Sequence, residues 1–237
     1  VDPELRHIPV QIISGYDYRK SGLELGAIDF IRKPISKEAF WKALDKVENF
    51  VSRKPKKLLI IEDDAEQNSA VKELIGNGDV KCYSAFSGKE GYEMLKKTTF
   101  DCVIVDLGLP DMNGLKFLEM IREDSDINSI PVIVYTGKDL SKEENAQLEK
   151  LADTVVLKTA FSHERLLDET TLFLHRVETK LPKEKQIIIR KLHKTDEVLK
   201  GKTVLIADDD DRNVYSLISA LEPEGMKCLT ATNGKIA

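Results

Sequence analysis

Residues 102–114 read CVIVDLGLPDMNG, an apolar run that ends at Asp106 and continues into a turn containing Gly and Pro. Similar runs precede and follow it, namely LLIIEDD at 58–64 and VIVYTG at 132–137. Short apolar runs of this kind are typical of buried parallel strands, and the carboxyl ends of such strands meet at one edge of an α/β sheet. A fourth run, TVVLK at 154–158, ends in a lysine. The sequence therefore predicts that acids, a hydroxyl and an amine share one sheet edge.

Three carboxylates are expected to converge at this edge. Glu62 and Asp63 follow the first of these strands, and Asp106 follows a later one. Carboxylates held together raise one another's pKa values, and a hard divalent cation relieves their repulsion. Mg²⁺ fits, because it binds through one or two carboxylates together with water and phosphate oxygens. Asp106 stands alone at the start of its turn, so it is the candidate nucleophile toward a phosphoryl group.

The order of these side chains resembles the receiver (response-regulator) domain of two-component signalling. The intervals along the chain are 43 positions from Asp63 to Asp106, 30 to Thr136 and 22 to Lys158. The resemblance extends over residues 57–177 and implies that Asp106 is the phosphoacceptor. It also implies that the ammonium of Lys158 pairs with the acceptor and the transferred group, and that the hydroxyl of Thr136 binds a phosphoryl oxygen.

The family uses one more metal ligand, a main-chain carbonyl two residues past the acceptor. That residue is Gly108 here. The resemblance therefore implies a Mg²⁺ site made of Glu62, Asp63, Asp106 and the carbonyl of Gly108.

Each polar residue also has a simpler structural interpretation. Asp64 is a candidate helix N-cap, and Asp106 and Thr136 are compatible with a turn residue and a strand end. Lys158 taken alone is typical of a solvated surface amine. Their joint order and spacing favour the receiver interpretation for this stretch.

Alternating strand and helix patterns predict a flavodoxin-like, doubly wound α/β fold with five parallel strands in the order 2-1-3-4-5. The predicted strands are 58–62, 80–84, 101–105, 131–135 and 154–158, and the predicted helices are near 65–76, 88–97, 113–123, 141–151 and 163–178. The first and third strands flank the switch point, so the fold itself brings the acids together.

Internal repeats appear at both ends of the chain. KTVLIADDDD from 202 mirrors KKLLIIEDD from 56, with Asp208 and Asp209 at the positions of Glu62 and Asp63. Near the other end, IPVQIISG mirrors IPVIVYTG and GAIDFIRKP contains a second lysine, which places Ser14 at the hydroxyl position and Lys33 at the amine position. The predicted domains are the tail of one receiver (1–52), a complete receiver (56–178), a helical linker (179–201) and the head of a further receiver (202–237).

Two residues of the complete receiver depart from the family pattern. Receivers usually carry an aromatic residue three positions before the lysine and a proline after it, often with a cis bond, whereas this domain has Val155 and Thr159. The tail segment keeps both features in Phe30 and Pro34. We therefore expect phosphorylation to rearrange the face of strands four and five less than in ordinary receivers, with a different or strained loop after Lys158.

Composition excludes several classes of protein. The chain has 237 residues, a net charge of −5 and 32% charged residues, without the basic patch of a nucleic-acid-binding protein. No apolar run is long enough for a membrane span, and there is no signal peptide. Cys82, Cys102 and Cys228 lie in predicted strands and are expected to be buried, reduced thiols, which indicates a cytoplasmic setting.

The four histidines, His7, His163, His175 and His193, lie outside any kinase-type dimerisation motif, and no ATP-binding Asp-x-Gly-x-Gly loop is present. His175 is predicted on the helix near 163–178. No kinase catalytic core is therefore assigned to this chain. Tandem receivers of this kind are similar to the C-terminal part of a bacterial multi-receiver hybrid sensor histidine kinase, which implies a kinase core upstream of Val1. The phosphoryl donor is then a histidine kinase core, in the same protein or in trans.

The sequence leaves two functions open. In the first, the central receiver accepts a phosphoryl group at Asp106 and changes how neighbouring receivers pack. In the second, the receiver is a docking or spacer module whose output is independent of phosphate. An aspartyl phosphatase is disfavoured because Gly108 stands where a second acid is needed, and a nucleotide-binding module lacks a phosphate-cradling loop.

The partial receivers cannot cover their own apolar strands. We expect them either to pack on each other, most simply in a domain-swapped dimer, or to bury against the complete receiver.

Overall fold

The computed structural model describes residues 5–16, 19–52, 54–138, 140–159, 161–222 and 225–233, and the chain divides into two compact units at 1–186 and 187–237. The first unit starts with a segment of two strands and two helices, which are β1 (Val10–Ser14), α1 (Arg19–Glu24), β2 (Ala27–Arg32) and α2 (Lys37–Ser52). We call these residues, 5–52, the N-terminal segment. Its two strands are parallel, with Ser14 opposite Arg32.

The rest of the first unit is built on one five-stranded parallel sheet. Its strands are β3 (Lys56–Ile61), β4 (Val80–Ala85), β5 (Cys102–Val105), β6 (Val132–Thr136) and β7 (Thr154–Leu157). The connecting helices are α3 (Ala65–Ile75), α4 (Gly88–Lys97), α5 (Gly114–Glu123), α6 (Lys142–Leu151) and α7 (Ser162–Phe173). The spatial order is β4-β3-β5-β6-β7, which confirms the predicted order 2-1-3-4-5.

Side-chain caps explain why most of these helices begin where they do. Asp64, Ser87, Asn113 and Ser141 each accept hydrogen bonds from backbone N–H groups in the first turn of the helix after it. A first turn leaves such N–H groups without partners inside the helix, so each cap stabilises its helix by about 1 kcal/mol. These caps set the helix starts after the carboxyl ends of the strands, closely for α3 and α4 and at the end of a longer loop for α5.

The central strands are apolar throughout because both faces of the sheet are covered. Leu59 and Ile61 pack into a cluster with α5 and α6, while Leu58 and Ile60 pack into a second cluster with α3 and α7. All four side chains are buried. Alternate side chains of each apolar run therefore belong to the two clusters that form the core, one on each face of the sheet.

The three cysteines lie in strands β4, β5 and β9 (Lys227–Ala231) and form no disulfide. Cys102 is buried, whereas Cys82 and Cys228 are half-buried. The prediction of three buried thiols is therefore wrong for two of them, because both lie in strands of which one face is only partly covered.

The last helix of the domain is shorter than predicted. α7 ends at Phe173 instead of near residue 178, and His175 lies beyond it with a left-handed φ of 49°. Arg176 explains the turn: its buried guanidinium donates to both carboxylate oxygens of Asp79, each at 2.9 Å, and to the carbonyl of Ile75 at 3.1 Å. Continued helix would carry Arg176 away from these acceptors, so the long-range ion pair ends the helix and moves His175 off it.

The N-terminal segment packs against the five-stranded domain. The buried guanidinium of Arg6 donates to Asp168 Oδ1 at 2.5 Å and to the carbonyl of Asp168 at 2.9 Å. The ring of Phe50 meets the ring of His175 edge-on, with centroids 5.2 Å apart. These contacts agree with the predicted alternative in which this segment buries against the central domain.

The second unit contains one more parallel strand pair. Helix α8 (Lys183–Leu199) begins in the first unit after a short 3-10 helix at Glu178–Lys180, and it confirms a helix in the predicted linker, directly after Pro182. Strand β8 (Thr203–Ala207) and helix α9 (Asp211–Leu221) come next, and β8 pairs with β9. Within the described parts of both units, no helix combines the length and the apolar character that a membrane span needs.

The Arg6–Asp168 pair is expected to hold the N-terminal segment in place. Arg6→Ala removes the ion pair and the two hydrogen bonds that the guanidinium makes with the largely buried Asp168, and loss of one partner of a buried pair costs about 3 to 5 kcal/mol. Urea unfolding followed by the fluorescence of Trp41, the single tryptophan and a residue of α2, measures the loss. Lys97→Ala is the control, because its exposed pair with Glu93 is worth at most about 1 kcal/mol. Equal losses for the two variants would contradict the role of Arg6.

Glu169 and His175, which lie near the contact with the N-terminal segment, are expected to change the stability of the protein in opposite directions as pH changes. Burial raises the pKa of Glu169 to about 7, so its contribution to stability is complete below about 4.5 and is lost as pH rises to 7. Burial lowers the pKa of His175 to about 4, so its contribution is complete above about 6.5 and is lost as pH falls to 4. Glu169→Gln should therefore stabilise the protein at pH 8 more than at pH 5.

The matched variant is His175→Asn, since asparagine tolerates the left-handed backbone. It should improve stability relative to the wild type at pH 5 more than at pH 8. Melting temperatures at the two pH values test both statements, and parallel pH profiles for all three proteins would refute them.

Candidate functional site

Three carboxylates meet at the carboxyl edge of the central sheet. Glu62 and Asp63 follow β3, and Asp106 follows the neighbouring strand β5, whose last residue Val105 lies opposite Ile61. One carboxylate oxygen from each of the three acids lies within 4.8 Å of the others. Glu62 is buried, Asp106 is partly buried and Asp63 is exposed. The structure thus brings together the three acids that the sequence predicted to converge.

Lys158 reaches into this cluster from the end of β7. Its Nζ lies 2.7 Å from Glu62 Oε2, 2.7 Å from Asp106 Oδ2 and 2.7 Å from Gln67 Oε1. An ammonium has three N–H donors, and these three oxygens use all of them. The simpler interpretation of Lys158 as a solvated surface amine is therefore wrong.

The two acids that share Lys158 respond to it differently. Burial raises the pKa of Glu62 even though Lys158 donates to it. Burial alone would also raise the pKa of Asp106, but hydrogen bonds from Lys158 and from the Thr136 hydroxyl outweigh it and lower that pKa. Burial opposes the charge of Lys158 as well, yet its bonds to the two acids raise its pKa. Asp106 is therefore the acid whose ionised form the site favours.

Thr136 is the last residue of β6 and is fully buried. Its hydroxyl helps to lower the pKa of Asp106, and the hydroxyl oxygen accepts from the backbone N–H of Lys138 at 3.2 Å. Its carbonyl accepts from the backbone N–H of Lys158 at 2.8 Å, which fixes the lysine beside it. Hydroxyl, acid and amine are thus adjacent, as predicted.

The loop after Asp106 is fastened to α4. Asp111 accepts from the backbone N–H groups of Gly88 and Lys89, each at 2.8 Å. Gly114 is required at the end of the loop, because a Cβ there would lie 2.5 Å from the Cα of Leu107. The N–H of Gly108 donates to Asp106 Oδ1 at 3.3 Å. The role of the Gly108 carbonyl as a metal ligand stays a prediction.

Asp64 is a helix cap and not part of the acidic cluster. Its Oδ1 accepts from the backbone N–H groups of Glu66 at 2.8 Å and Gln67 at 3.0 Å. The simpler interpretation is thus confirmed for this acid.

Three residues at or near the site were not predicted from the sequence. Gln67, in the first turn of α3, accepts a hydrogen bond from Lys158. Tyr135 lies directly before Thr136, and its hydroxyl is 3.1 Å from Ser162 Oγ at the start of α7. The position of Gln67 three residues after the cap Asp64 was the available signal, whereas the Tyr135–Ser162 contact depends on how α7 packs.

The two departures from the family pattern are local. Val155 is partly buried and packs against the apolar cluster on the α5 and α6 side of the sheet. The cis peptide bonds among described residues are Lys33–Pro34 and Lys54–Pro55, so Thr159 follows Lys158 without one.

The outer strand pairs repeat the hydrogen bonds of the central domain. The N–H of Lys33 donates to the carbonyl of Ser14 at 2.8 Å, as the N–H of Lys158 donates to that of Thr136. In the second unit, the N–H of Asp208 donates to the carbonyl of Ala231 at 3.1 Å. The N–H of Glu62 donates to the carbonyl of Ala85 at the same distance in the central domain. Ser14, Lys33 and Asp208 therefore stand at the same register as their counterparts.

Comparisons with known proteins concern the central domain. The family of the response regulator receiver domain matches residues 58–171. The transcriptional regulatory protein CrdR of Helicobacter pylori is 34% identical over 107 residues, which cover 45% of this chain and 44% of that protein. Hybrid signal transduction histidine kinase D of Dictyostelium discoideum is 31% identical over 115 residues, which cover 46% of this chain and 7% of that protein.

A solved structure of similar sequence is the N-terminal domain of a response regulator receiver protein from Methanoculleus marisnigri JR1. It has 28% identity and a TM-score of 0.41, and the match covers 48% of this chain and 93% of that chain. This chain spans less than half the length of the two curated relatives. The family match extends from β3 into α7, the stretch that holds Glu62, Asp106, Thr136 and Lys158. Residues 58–171 of this chain are therefore a response regulator receiver domain of two-component signalling.

Proposed function

We propose that the central receiver accepts a phosphoryl group from a kinase histidine at Asp106. The observation that carries the proposal is the state of this carboxylate. Lys158 and Thr136 lower its pKa against the effect of burial, so it is ionised at neutral pH, and hydrogen bonds from Lys158 Nζ and from the N–H of Gly108 orient it. An ionised, positioned carboxylate is the form that attacks phosphorus.

The proposed reaction is a direct transfer. A carboxylate oxygen of Asp106 forms a bond to the phosphorus of a phosphohistidine, the P–N bond breaks, and the released imidazole nitrogen keeps the electron pair and is protonated from solvent. The transferred group carries a charge of about −1.5 to −2. Lys158 Nζ lies 2.7 Å from the Asp106 carboxylate, and the Thr136 hydroxyl is near enough to lower the pKa of Asp106, so both are placed to donate to phosphoryl oxygens.

The acidic cluster suits a magnesium ion. Three hard oxygen donors lie within 4.8 Å of one another, and a single ammonium from Lys158 offsets only part of their charge. Glu62, Asp63, Asp106 and the carbonyl of Gly108 would hold Mg²⁺. Bound there, the cation neutralises charge on the acids and on the phosphoryl oxygens.

We further propose that the N-terminal segment and the second unit are parts of two more receivers, as in a hybrid histidine kinase. The matched hydrogen bonds of Lys33 and Asp208 support this assignment, since the register of a strand pair is set by its pattern of side chains and by its connecting loops. The partners would then be a histidine kinase core and neighbouring receivers. A swapped dimer stays a prediction.

A second candidate function is a docking or spacer module whose output does not depend on phosphate. Val155 favours it, because this position lacks the aromatic ring that would change its orientation when the Thr136 hydroxyl moves. The buried contact of Arg6 with Asp168 also favours it, because such a contact is what a fixed spacer needs.

Labelling with a small phosphodonor separates the two functions. With acetyl phosphate and Mg²⁺, the wild type should gain the mass of one phosphoryl group, and Asp106→Asn should gain none, since the amide is not a nucleophile here. Asp126→Asn is the matched control, because Asp126 bonds Lys96 far from the acidic cluster and should leave labelling unchanged. Intact-mass spectrometry measures each protein. An unlabelled wild type would favour the spacer, and labelling of Asp106→Asn would overturn the assignment of the acceptor.

Magnesium is expected to stabilise the fold by mass action. At ten times its dissociation constant, a ligand that binds only the folded state adds about 1.4 kcal/mol. The melting temperature should therefore rise in millimolar Mg²⁺ for the wild type and for Asp126→Asn, but not for Asp63→Asn. Asp63 is exposed, so its replacement tests the metal ligand with little effect on packing. Identical melting with and without Mg²⁺ would count against the site.

A further inference from the structure

Tyr135 is an aromatic residue close to the ammonium of Lys158. It is buried on β6 and faces α7, in the apolar cluster that also contains Leu166 and Val156. Its hydroxyl lies 3.1 Å from Ser162 Oγ, and Ser162 is the buried first residue of α7. These two buried hydroxyls partner each other, and a buried hydroxyl that loses its partner carries a desolvation cost. The ring of Tyr135 and the start of α7 are therefore tied together.

The same ring lies under the ammonium of Lys158. Lys158 Nζ is 5.2 Å from the centroid of Tyr135. Its three N–H donors are directed to Glu62, Gln67 and Asp106. The face of an aromatic ring attracts a cation without needing one of its N–H groups, and a distance within about 6 Å is favourable. Tyr135 thus attracts the ammonium in addition to the three oxygen acceptors.

We propose that Tyr135 and Ser162 are positioning residues of the phosphoryl site, which hold Lys158 and pass its displacement to the first turn of α7. The second half of this statement rests on the proposed function, since phosphorylation of Asp106 is the event that would draw Lys158 away from its present acceptors. The ring responds to the ammonium above it, and Ser162 responds to the ring through the hydroxyl pair.

This route differs from one through Val155. Val155 belongs to the apolar cluster on the other face of the sheet and offers no polar group. The Tyr135–Ser162 pair lies on the α7 face, so the two routes end on different surfaces. The ring of His163, 6.3 Å from that of Tyr135 and nearly edge-on, extends the contact to the next residue of α7.

The positioning of Lys158 is tested without any phosphodonor. An aromatic ring shifts the proton resonances of a group above its face upfield, so the Hε protons of Lys158 should be upfield in the wild type and move toward the ordinary lysine position in Tyr135→Leu. Tyr135→Phe keeps the ring and should retain most of the shift. Tyr92→Phe is the matched control, since it removes a tyrosine hydroxyl bonded to Asp124, away from Lys158. Equal Lys158 shifts in the wild type and in Tyr135→Leu would overturn the positioning role.

The passage to α7 is tested with acetyl phosphate and Mg²⁺. Labelling of the wild type should change amide hydrogen exchange in residues 162–165 several-fold. Tyr135→Phe and Ser162→Ala should still be labelled but lose most of that change, and Ser162→Thr, which keeps the hydroxyl, should restore it. Tyr135→Leu should also be labelled about 3- to 10-fold more slowly, which is the rate equivalent of one lost cation–π contact.

The outcomes separate this inference from the proposed function. An unlabelled wild type refutes the proposed function and with it the passage to α7, while the resonance of Lys158 still decides the positioning role. A labelled wild type in which Tyr135→Phe transmits the exchange change in full refutes the passage alone.

Discussion

The bonding of one ammonium to two carboxylates is the interaction on which the domain depends. Lys158 follows the edge strand β7, and Glu62 and Asp106 follow the neighbouring inner strands β3 and β5. Their meeting requires that β3 and β5 be neighbours and that β7 end at the same level. The apolar strands satisfy both requirements through burial on two faces. Without the ammonium, the acids would repel each other in a partly buried place, and the sheet would have to hold them together against that repulsion.

Glu62 and Asp106 have different surroundings and therefore different roles in the site. Glu62 is almost wholly buried, and burial dominates its pKa, whereas Lys158 and Thr136 together lower the pKa of Asp106. A charge is therefore held more firmly on Asp106. The surroundings thus favour the ionised form of Asp106, which is only partly buried at the start of its loop. The buried Glu62 accepts a hydrogen bond from Lys158 and helps to position it.

The sequence was sufficient for those features that repeat along the chain. Runs such as LLII predicted β3 because both faces of that strand are buried, and the polar residue after each run predicted the site. Features made by contacts between distant residues were not predictable. The end of α7 depends on Arg176 reaching Asp79, and the ring under Lys158 depends on Ser162 lying beside Tyr135. Neither contact produces a periodic pattern in the sequence, since each joins residues of different elements that meet only through tertiary packing.

Helix α7 links the chemistry at one end of the sheet to the domain contact near the other. Its first residue, Ser162, bonds Tyr135 beside the site, while Asp168 bonds Arg6 and His175, just past its end, packs on Phe50. Twelve helical residues span about 18 Å, so α7 connects the two contacts directly. A full switch between two states needs about 5.5 kcal/mol of differential interaction, more than the one hydrogen bond of Thr136 supplies. Removal of one partner of a buried ion pair such as Arg6–Asp168 costs about 3 to 5 kcal/mol, which comes closer to that requirement. If phosphorylation alters interdomain packing, the energy is therefore to be sought at the far end of α7 and not in the bond that forms at the phosphoryl group.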